Sequence, residues 1–362
     1  MKIESRPLRF DASKSFNEAG KHVRDGLSAA IRTGDYLWVS CDERSSLERL
    51  KLLPDGSFGE HQSFDLNKYL DLPTKGTCEI DIEGLGQDGN YLWLVGSHSL
   101  ARKKPRKEES PAKQIKRLAK VKEDPNRYLL ARIPLVPDPE TGEYKLYKSI
   151  LDPQNPDKTL TAAQLIADKK GNQLMKELSS DIHFKDFMKI PGKDNGFDIE
   201  GLAVSEKKIF LGIRGPVLRG WAAILELEIR EKKPGELMLK TTAGKQAYKK
   251  HFLHLEGMGI RDLLLVKDDM LILAGPTMDL DGTIAVYRWR NALQQTEEAM
   301  VHRKELERLF DVPHGQGETS SHDKAEGMAL FDPEQVLIVF DTPTPARKPD
   351  ENMIEADLYA LN

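Results

Sequence analysis

Cysteine is scarce in this chain: Cys41 and Cys78 are the only two among 362 residues. They show no CxxC spacing and no histidine company, so a disulfide framework or a zinc site is not indicated, and two reduced, buried thiols are expected. Long apolar runs are missing as well. No stretch approaches the roughly 18 consecutive apolar residues of a membrane helix, and Met1-Lys2-Ile3-Glu4-Ser5-Arg6-Pro7 lacks the hydrophobic core of a secretion signal; the expected location is the cytoplasm, with no membrane partner. Nor is there a large charge excess. A formal net charge of −4, with 39% hydrophobic and 31% charged residues, describes an ordinary globular protein and gives no bulk attraction for nucleic acid.

What the chain does have is a recurring unit. Asp198-Ile199-Glu200-Gly201-Leu202 is followed by Ile209-Phe210-Leu211-Gly212-Ile213 and then Arg214. Glu83-Gly84-Leu85 leads in the same way to Trp93-Leu94-Val95, and Glu326-Gly327-Met328 to Val336-Leu337-Ile338-Val339. Two weaker copies are Asp25-Gly26-Leu27 before Tyr36-Leu37-Trp38-Val39, across a longer turn, and Arg261-Asp262-Leu263 before Met270-Leu271-Ile272-Leu273. The anchors at 26, 84, 201, 262 and 327 are separated by 58, 117, 61 and 65 residues.

Each copy predicts a hairpin of two inner strands, apolar at nearly every position because both faces are covered. A third strand follows at Ser46 to Leu50, Tyr128 to Ile133, Ala222 to Ile229, Thr283 to Trp289 and Glu355 to Leu361. More polar fourth strands are expected at Gly59 to Asp65, Lys145 to Ile150, Glu236 to Lys240 and Leu306 to Val312. Four short strands repeated at this period predict an all-β β-propeller, one domain over 1–362, with five blades preferred and six the alternative. The fifth copy runs out of chain before its fourth strand, and Pro7-Leu8-Arg9-Phe10-Asp11 is placed to supply it. The double-length step predicts helical or irregular insertions at about 100–126 and 155–190.

Propeller topology converges the residue before each glycine with the residues that follow each second strand. The first set is Asp25, Glu83, Glu200, Arg261 and Glu326, joined by Asp81, Asp198, Asp262 and Lys324. The second is Asp42, Glu43, His98, Arg214, Thr277, Asp279 and Asp341. Such crowded carboxylates repel one another and call for a cation or arginine. Three functions fit. In one, the mouth binds a small anionic ligand through Glu83, Arg261, His98, Asp262 and Lys324, with or without Ca²⁺ or Mg²⁺ on Asp81, Asp198 and Asp25. In another, Glu200 or Glu326 is the base of a hydrolase of phosphoesters, esters or lactones, and Arg214 holds developing charge. In the third, the acids cap backbone N–H groups of neighbouring blades and the protein is a non-enzymatic interaction scaffold. Whether it is an enzyme stays open.

Residues 100–122 hold ten lysines and arginines against Glu108 and Glu109. Without aromatic residues to stack on bases, the insert does not indicate nucleic acid; a flap over the mouth, or a surface for a protein partner, fits better. His314-Gly315-Gln316-Gly317 lacks phosphate-loop spacing and reads as a connecting loop. His251 and His254 read as packing or surface residues.

Through Asp198-Ile199-Glu200-Gly201-Leu202, Arg214-Gly215-Pro216 and Glu326-Gly327-Met328, the chain resembles a bacterial propeller family known only as a domain of unknown function. The resemblance covers most of the chain, including the basic segment before Asn126-Arg127-Tyr128-Leu129. The DxEGL element is also similar to one in esterase-like phytase propellers, a local likeness that implies phosphoester or ester chemistry.

Overall fold

The computed structural model describes the chain except residues 75–78, 169–170, 207, 242–246, 279 and 362, so Cys78 and Asp279 lie outside the described residues. Strands dominate. The first meander runs Leu27–Thr33, Tyr36–Cys41, Ser46–Leu52 and Phe58–Asp65, and the second Ile82–Asp88, Tyr91–Gly96, Leu130–Pro137 and Tyr144–Leu146. Asp198–Ser205, Lys208–Leu218, Trp221–Lys233 and Tyr248–His254 form the third, and Gly259–Val266, Asp269–Gly275, Ile284–Trp289 and Leu306–Val312 the fourth. The fifth joins Lys324–Asp332, Gln335–Asp341 and Met353–Ala360 to the N-terminal strand Lys2–Arg9, which pairs antiparallel with the C-terminal strand from Lys2 opposite Tyr359 to Arg9 opposite Met353. Among the described residues no helix is long and apolar enough to cross a membrane.

The first strands of the meanders touch in the order one, two, three, four, five and back to one, which makes the arrangement all-β and propeller-like. Apolar clusters fill the spaces between neighbours. Leu85 lies between the first and second meanders, Leu202 between the second and third, and Met328 between the fourth and fifth. Hydrogen bonding also ties some meanders together at their outer edges. Leu8 opposite Phe58 joins the fifth and first into an eight-stranded sheet, and Ala163–Leu165 beside Glu236–Leu239 joins the second and third into an eleven-stranded one.

Every first hairpin carries a bulge at the same place. The register slips between Leu27 and Ala29, Ile82 and Gly84, Ile199 and Gly201, Ile260 and Asp262, and Ala325 and Gly327. The residues skipped are Ser28, Glu83, Glu200, Arg261 and Glu326. A bulge re-aims its side chain, and here it does so in all five copies. The first copy is therefore Leu27-Ser28-Ala29 rather than Asp25-Gly26-Leu27, and the longer turn seen in the sequence is this three-residue offset.

The glycine after the bulge has a steric cause. A Cβ on Gly84 would lie 2.7 Å from Leu202 Cβ and 2.9 Å from Leu202 N, and one on Gly327 would lie 2.9 Å from Ala29 Cα. In the fourth copy Asp262 replaces glycine, and its carboxylate accepts from Leu263 N at 2.8 Å and from Met328 N, on the next first strand, at 2.6 Å. Asp262, expected among the ligand-binding residues, is thus a tie between meanders, its carboxylate engaged by two backbone N–H groups.

Two fourth strands differ from expectation. Trp221–Lys233 is long enough to serve two partners, so Glu236–Leu239 pairs only with its outer end and Tyr248–His254 takes the inner part. Lys145 to Ile150 divides into Tyr144–Leu146 and the start of the hairpin Ser149–Asp152 with Asn155–Thr161. The second insertion is more strand-like than its apolar spacing suggested: Ala163–Leu165 adds to the second meander, and among its described residues the helical parts are Gln173–Leu178 and the single turn Phe187–Lys189. Its apolar points Leu165, Leu174 and Leu178 are buried against the sheet, which explains the spacing without a long helix.

Gly84→Ala places a methyl against a backbone that cannot retreat. Overpacking of this kind costs about 1–3 kcal/mol, and urea denaturation is expected to show that loss with an unchanged slope.

Candidate functional site

Near one mouth the bulged acids Glu200 and Glu326 are paired with arginines, while Glu83 has no ion pair among the described residues. Arg214, from the second strand of the third meander, pairs with both Asp198 and Glu200. Arg261 pairs with Glu326 and stands 3.9 Å from Glu200. Asp198, Glu200, Arg214 and Arg261 are each no more than 4% exposed. Burial, offset in part by Arg214 and reinforced by Glu326, raises the Glu200 carboxyl to about 8. In the first meander the equivalent position is Ser28, whose hydroxyl donates to Ile82 O at 2.6 Å and so binds the first two meanders together.

Above this layer is a cavity of about 330 Å³. Its body side carries Asp42, Glu43, Glu79, Asp81 and Glu83 from the ends of strands in the first two meanders. Its other side is the basic insert, where Ala101–Arg102 pairs with Val121–Lys122. The insert is anchored, with Arg102 Nε donating to Asp194 at 2.6 Å and Gly192 N to Leu100 O at 3.0 Å. Leu118, from the helix Pro111–Leu118, also reaches the cavity, whereas that helix buries no residue. The expected flap over the mouth is in place.

The carboxyls on the body side are half-buried or buried and close to one another. Asp42 is raised to about 8 by burial first, then by Asp341 and Asp81. Glu83 is also raised well above the usual carboxylate range, by burial first and then by Asp81 and Glu200. Asp81 is held by Arg127 Nη1 at 2.9 Å. Asp341, beside Lys193, is also raised, chiefly by burial and Glu326.

Some sequence-predicted residues gather here and others do not. Glu83, Asp81, Asp198 and Arg214 line the cavity. Glu200, Glu326 and Arg261 lie beneath it, taken up by one another and by Arg214. Asp25 is exposed and pairs with Lys348 at 3.2 Å, so it does not join Asp81 and Asp198. Lys324 is half-buried opposite Asp341 and does not line the cavity. His98 is committed to structure: Nδ1–H donates to Gly96 O at 2.7 Å, Nε2 accepts from Asn172 Nδ2 at 2.7 Å, and burial lowers its pKa to about 4. Among the described residues no group of three His, Cys, Asp or Glu side chains is placed to hold a metal ion. His251 is fully buried, with Nε2 3.1 Å from Glu226, which is a packing role.

Sequence reasoning missed Arg127 and Lys193. Arg127 follows the basic insert and was hidden by it. Lys193 sits in the turn Gly192–Asp194 just before the DIEGL strand, where Gly192 leaves room for Asp198: a Cβ there would lie 2.4 Å from Asp198 Oδ2.

These observations define an all-β, propeller-like protein with a polar cavity at one mouth, its walls of opposite charge supplied by different elements. The chain belongs to the family described as "Protein of unknown function (DUF3616)", whose model matches residues 26–357. It is similar in structure to the glutaminyl cyclase of Myxococcus xanthus, at 10% identity and a TM-score of 0.41, covering 100% of this chain and 97% of that one. It is also similar to the PQQ-bound aldose sugar dehydrogenase of Streptomyces coelicolor, at 10% identity and a TM-score of 0.36, covering 94% and 97%. No curated protein matches the chain.

Two outcomes follow from the electrostatics. Asp42 has a folded pKa of about 8 against an ordinary 3.8, so between those values the folded state holds the extra proton. Its contribution to stability is full below about pH 4 and is lost as pH rises to about 8. Asp42→Asn is expected to flatten that decline in melting temperature. Arg214→Met leaves Asp198 and Glu200 buried without their cation, a change that costs about 3–5 kcal/mol; chemical denaturation measures it, and adding Glu200→Gln is expected to recover part of the loss.

Proposed function

We propose that this protein is a five-bladed propeller that binds a small anionic molecule in the cavity between its acidic mouth and its basic insert. The meanders and the apolar clusters between them support counting five blades. One observation carries the ligand reading: Lys103, Lys104 and Lys193 line the cavity and, among the described residues, make no ion pair. The remaining cations there are already engaged, Arg102 by Asp194, Arg127 by Asp81, and Arg214 by Asp198 and Glu200. Ammonium groups at a cavity wall attract an anion, Lys103 and Lys104 from the insert and Lys193 from the turn, where it is also drawn to Asp42, Asp341 and Glu326, and a volume of about 330 Å³ suits a small one.

The reading assigns neither a metal nor a catalytic base. Arg127 pairs with Asp81 and Arg214 with Asp198, two of the three acids at which Ca²⁺ or Mg²⁺ was expected. Phosphoester or ester hydrolysis, which the DxEGL likeness implies, would need a base open to substrate, and Glu200 and Glu326 are covered by Arg214 and Arg261. Binding is therefore the function proposed for the site.

Thermal melts and calorimetry with inorganic phosphate, citrate and sugar phosphates test it. At least one anion is expected to raise the melting temperature through linkage. Lys104→Ala with Lys193→Ala is expected to weaken binding roughly tenfold or more, while Lys113→Ala with Lys116→Ala, on the exposed insert helix, leaves it unchanged. Flat melts across the set, or equal loss in both double variants, would count against the cavity as the anion site.

A further inference from the structure

We infer that the molecule held in this cavity is a zwitterion, whose ammonium group lodges against Asp42, Glu83 and Asp198 while its carboxylate or phosphate lies under Lys103, Lys104 and Lys193. The inference rests on the anion-binding reading and adds the opposite pole to it.

Carboxylates and lysines both line the cavity. The unpaired lysines come from the insert and the turn before the third meander, whereas Asp42 and Glu83 come from strand ends of the first two meanders. Arg127 is engaged with Asp81, and among the described residues neither Asp42 nor Glu83 has an ion pair. Asp198 supplies an independent indication. It is 3% exposed and lines the cavity, and although Oδ2 is taken by Arg214, Oδ1 has no hydrogen-bond partner. A buried carboxylate oxygen left without a partner is costly, and it belongs to a residue that lines a cavity of about 330 Å³.

A plain anion would satisfy the lysines and leave these acids crowded. Protonation relieves the crowding in the empty site, consistent with the upward shifts at Asp42 and Glu83. A ligand ammonium relieves it differently, by favouring the ionised carboxylates. A neighbouring cavity of about 350 Å³ shares Asp42, Glu43, Lys104 and Lys193 with the first, so both poles occur on the common wall.

Ligand pairs that differ only in the amine separate the two poles. Calorimetry would compare γ-aminobutyrate with butyrate and glucosamine phosphate with glucose phosphate, adding calcium or magnesium in a separate arm. At least one amine is expected to bind roughly tenfold more tightly than its partner. For the carboxylate pair, whose own charges stay constant, affinity for the amine is expected to rise between about pH 6 and pH 8 with proton release, because the bound ammonium favours ionised Asp42. Asp42→Asn is expected to remove most of that preference and its pH dependence while leaving the amine-free partner's affinity intact. Equal binding within both pairs would overturn the zwitterion and leave anion binding standing. Tightening of the amine-free ligands by calcium or magnesium to the level of the amines would also overturn it, since the missing cation would be a metal. Failure of all four ligands, together with flat melts for the simple anions, would remove both readings.

Discussion

The closeness of neighbouring first strands around the axis is the constraint from which the rest of the structure follows. Backbones that approach until a Cβ on Gly84 would meet Leu202 N at 2.9 Å leave no space for side chains between them at that level. Glycine or alanine is required there, or a side chain that becomes part of the contact, as Asp262 does by accepting from Met328 N. The bulge beside each such position then turns one residue per copy out of the hairpin register. Close packing and the charged layer near the mouth are two consequences of one backbone feature.

That layer could not persist with carboxylates alone. Burial raises the free energy of each ionised acid, and neighbours raise it again. Arg214 and Arg261 resolve this in the third and fourth meanders, where guanidinium groups fork between acids. The first two meanders follow a different course: Ser28 replaces the acid in one, and in the other Glu83 keeps its acid without an arginine. Asp42 and Glu83 hold their protons more tightly there than ordinary carboxyls, and it is this unresolved portion of the layer that faces the insert.

Much of the fold was legible because its signals are repeated. The hairpins of the DIEGL type, the closing N-terminal strand and the interior places of Leu85, Leu202 and Met328 could be read from apolar runs and spacing alone. The first copy was displaced because Asp25-Gly26-Leu27 imitates the motif, whereas the true Leu27-Ser28-Ala29 lacks both the acid and the glycine. Tyr248–His254 was overlooked as a strand because polar residues at its edge obscure the alternation. Glu83, Asp81, Asp198 and Arg214 were brought together by their place in the repeat, and the four line one cavity. That Gly96 and Asn172 engage both ring nitrogens of His98 is not legible in the sequence. Lys193 belongs to a turn outside the repeat, where no periodicity could signal it.

The double-length step between the second and third anchors is therefore more than an irregularity of spacing. A repeat alone would give a mouth with similar residues in every copy and little to favour one direction over another. The insertions break that equivalence at a single place. The first carries the basic hairpin across the acidic strand ends, and the second ends in the turn that brings Lys193 to the same cavity. The two are joined to each other by hydrogen bonds of Arg102 with Asp194 and of Gly192 with Leu100, so each holds the other in position. The repeated framework supplies one pole of the cavity and the departures from it supply the other, and a ligand that reads both would be selected by the part of the chain that does not repeat.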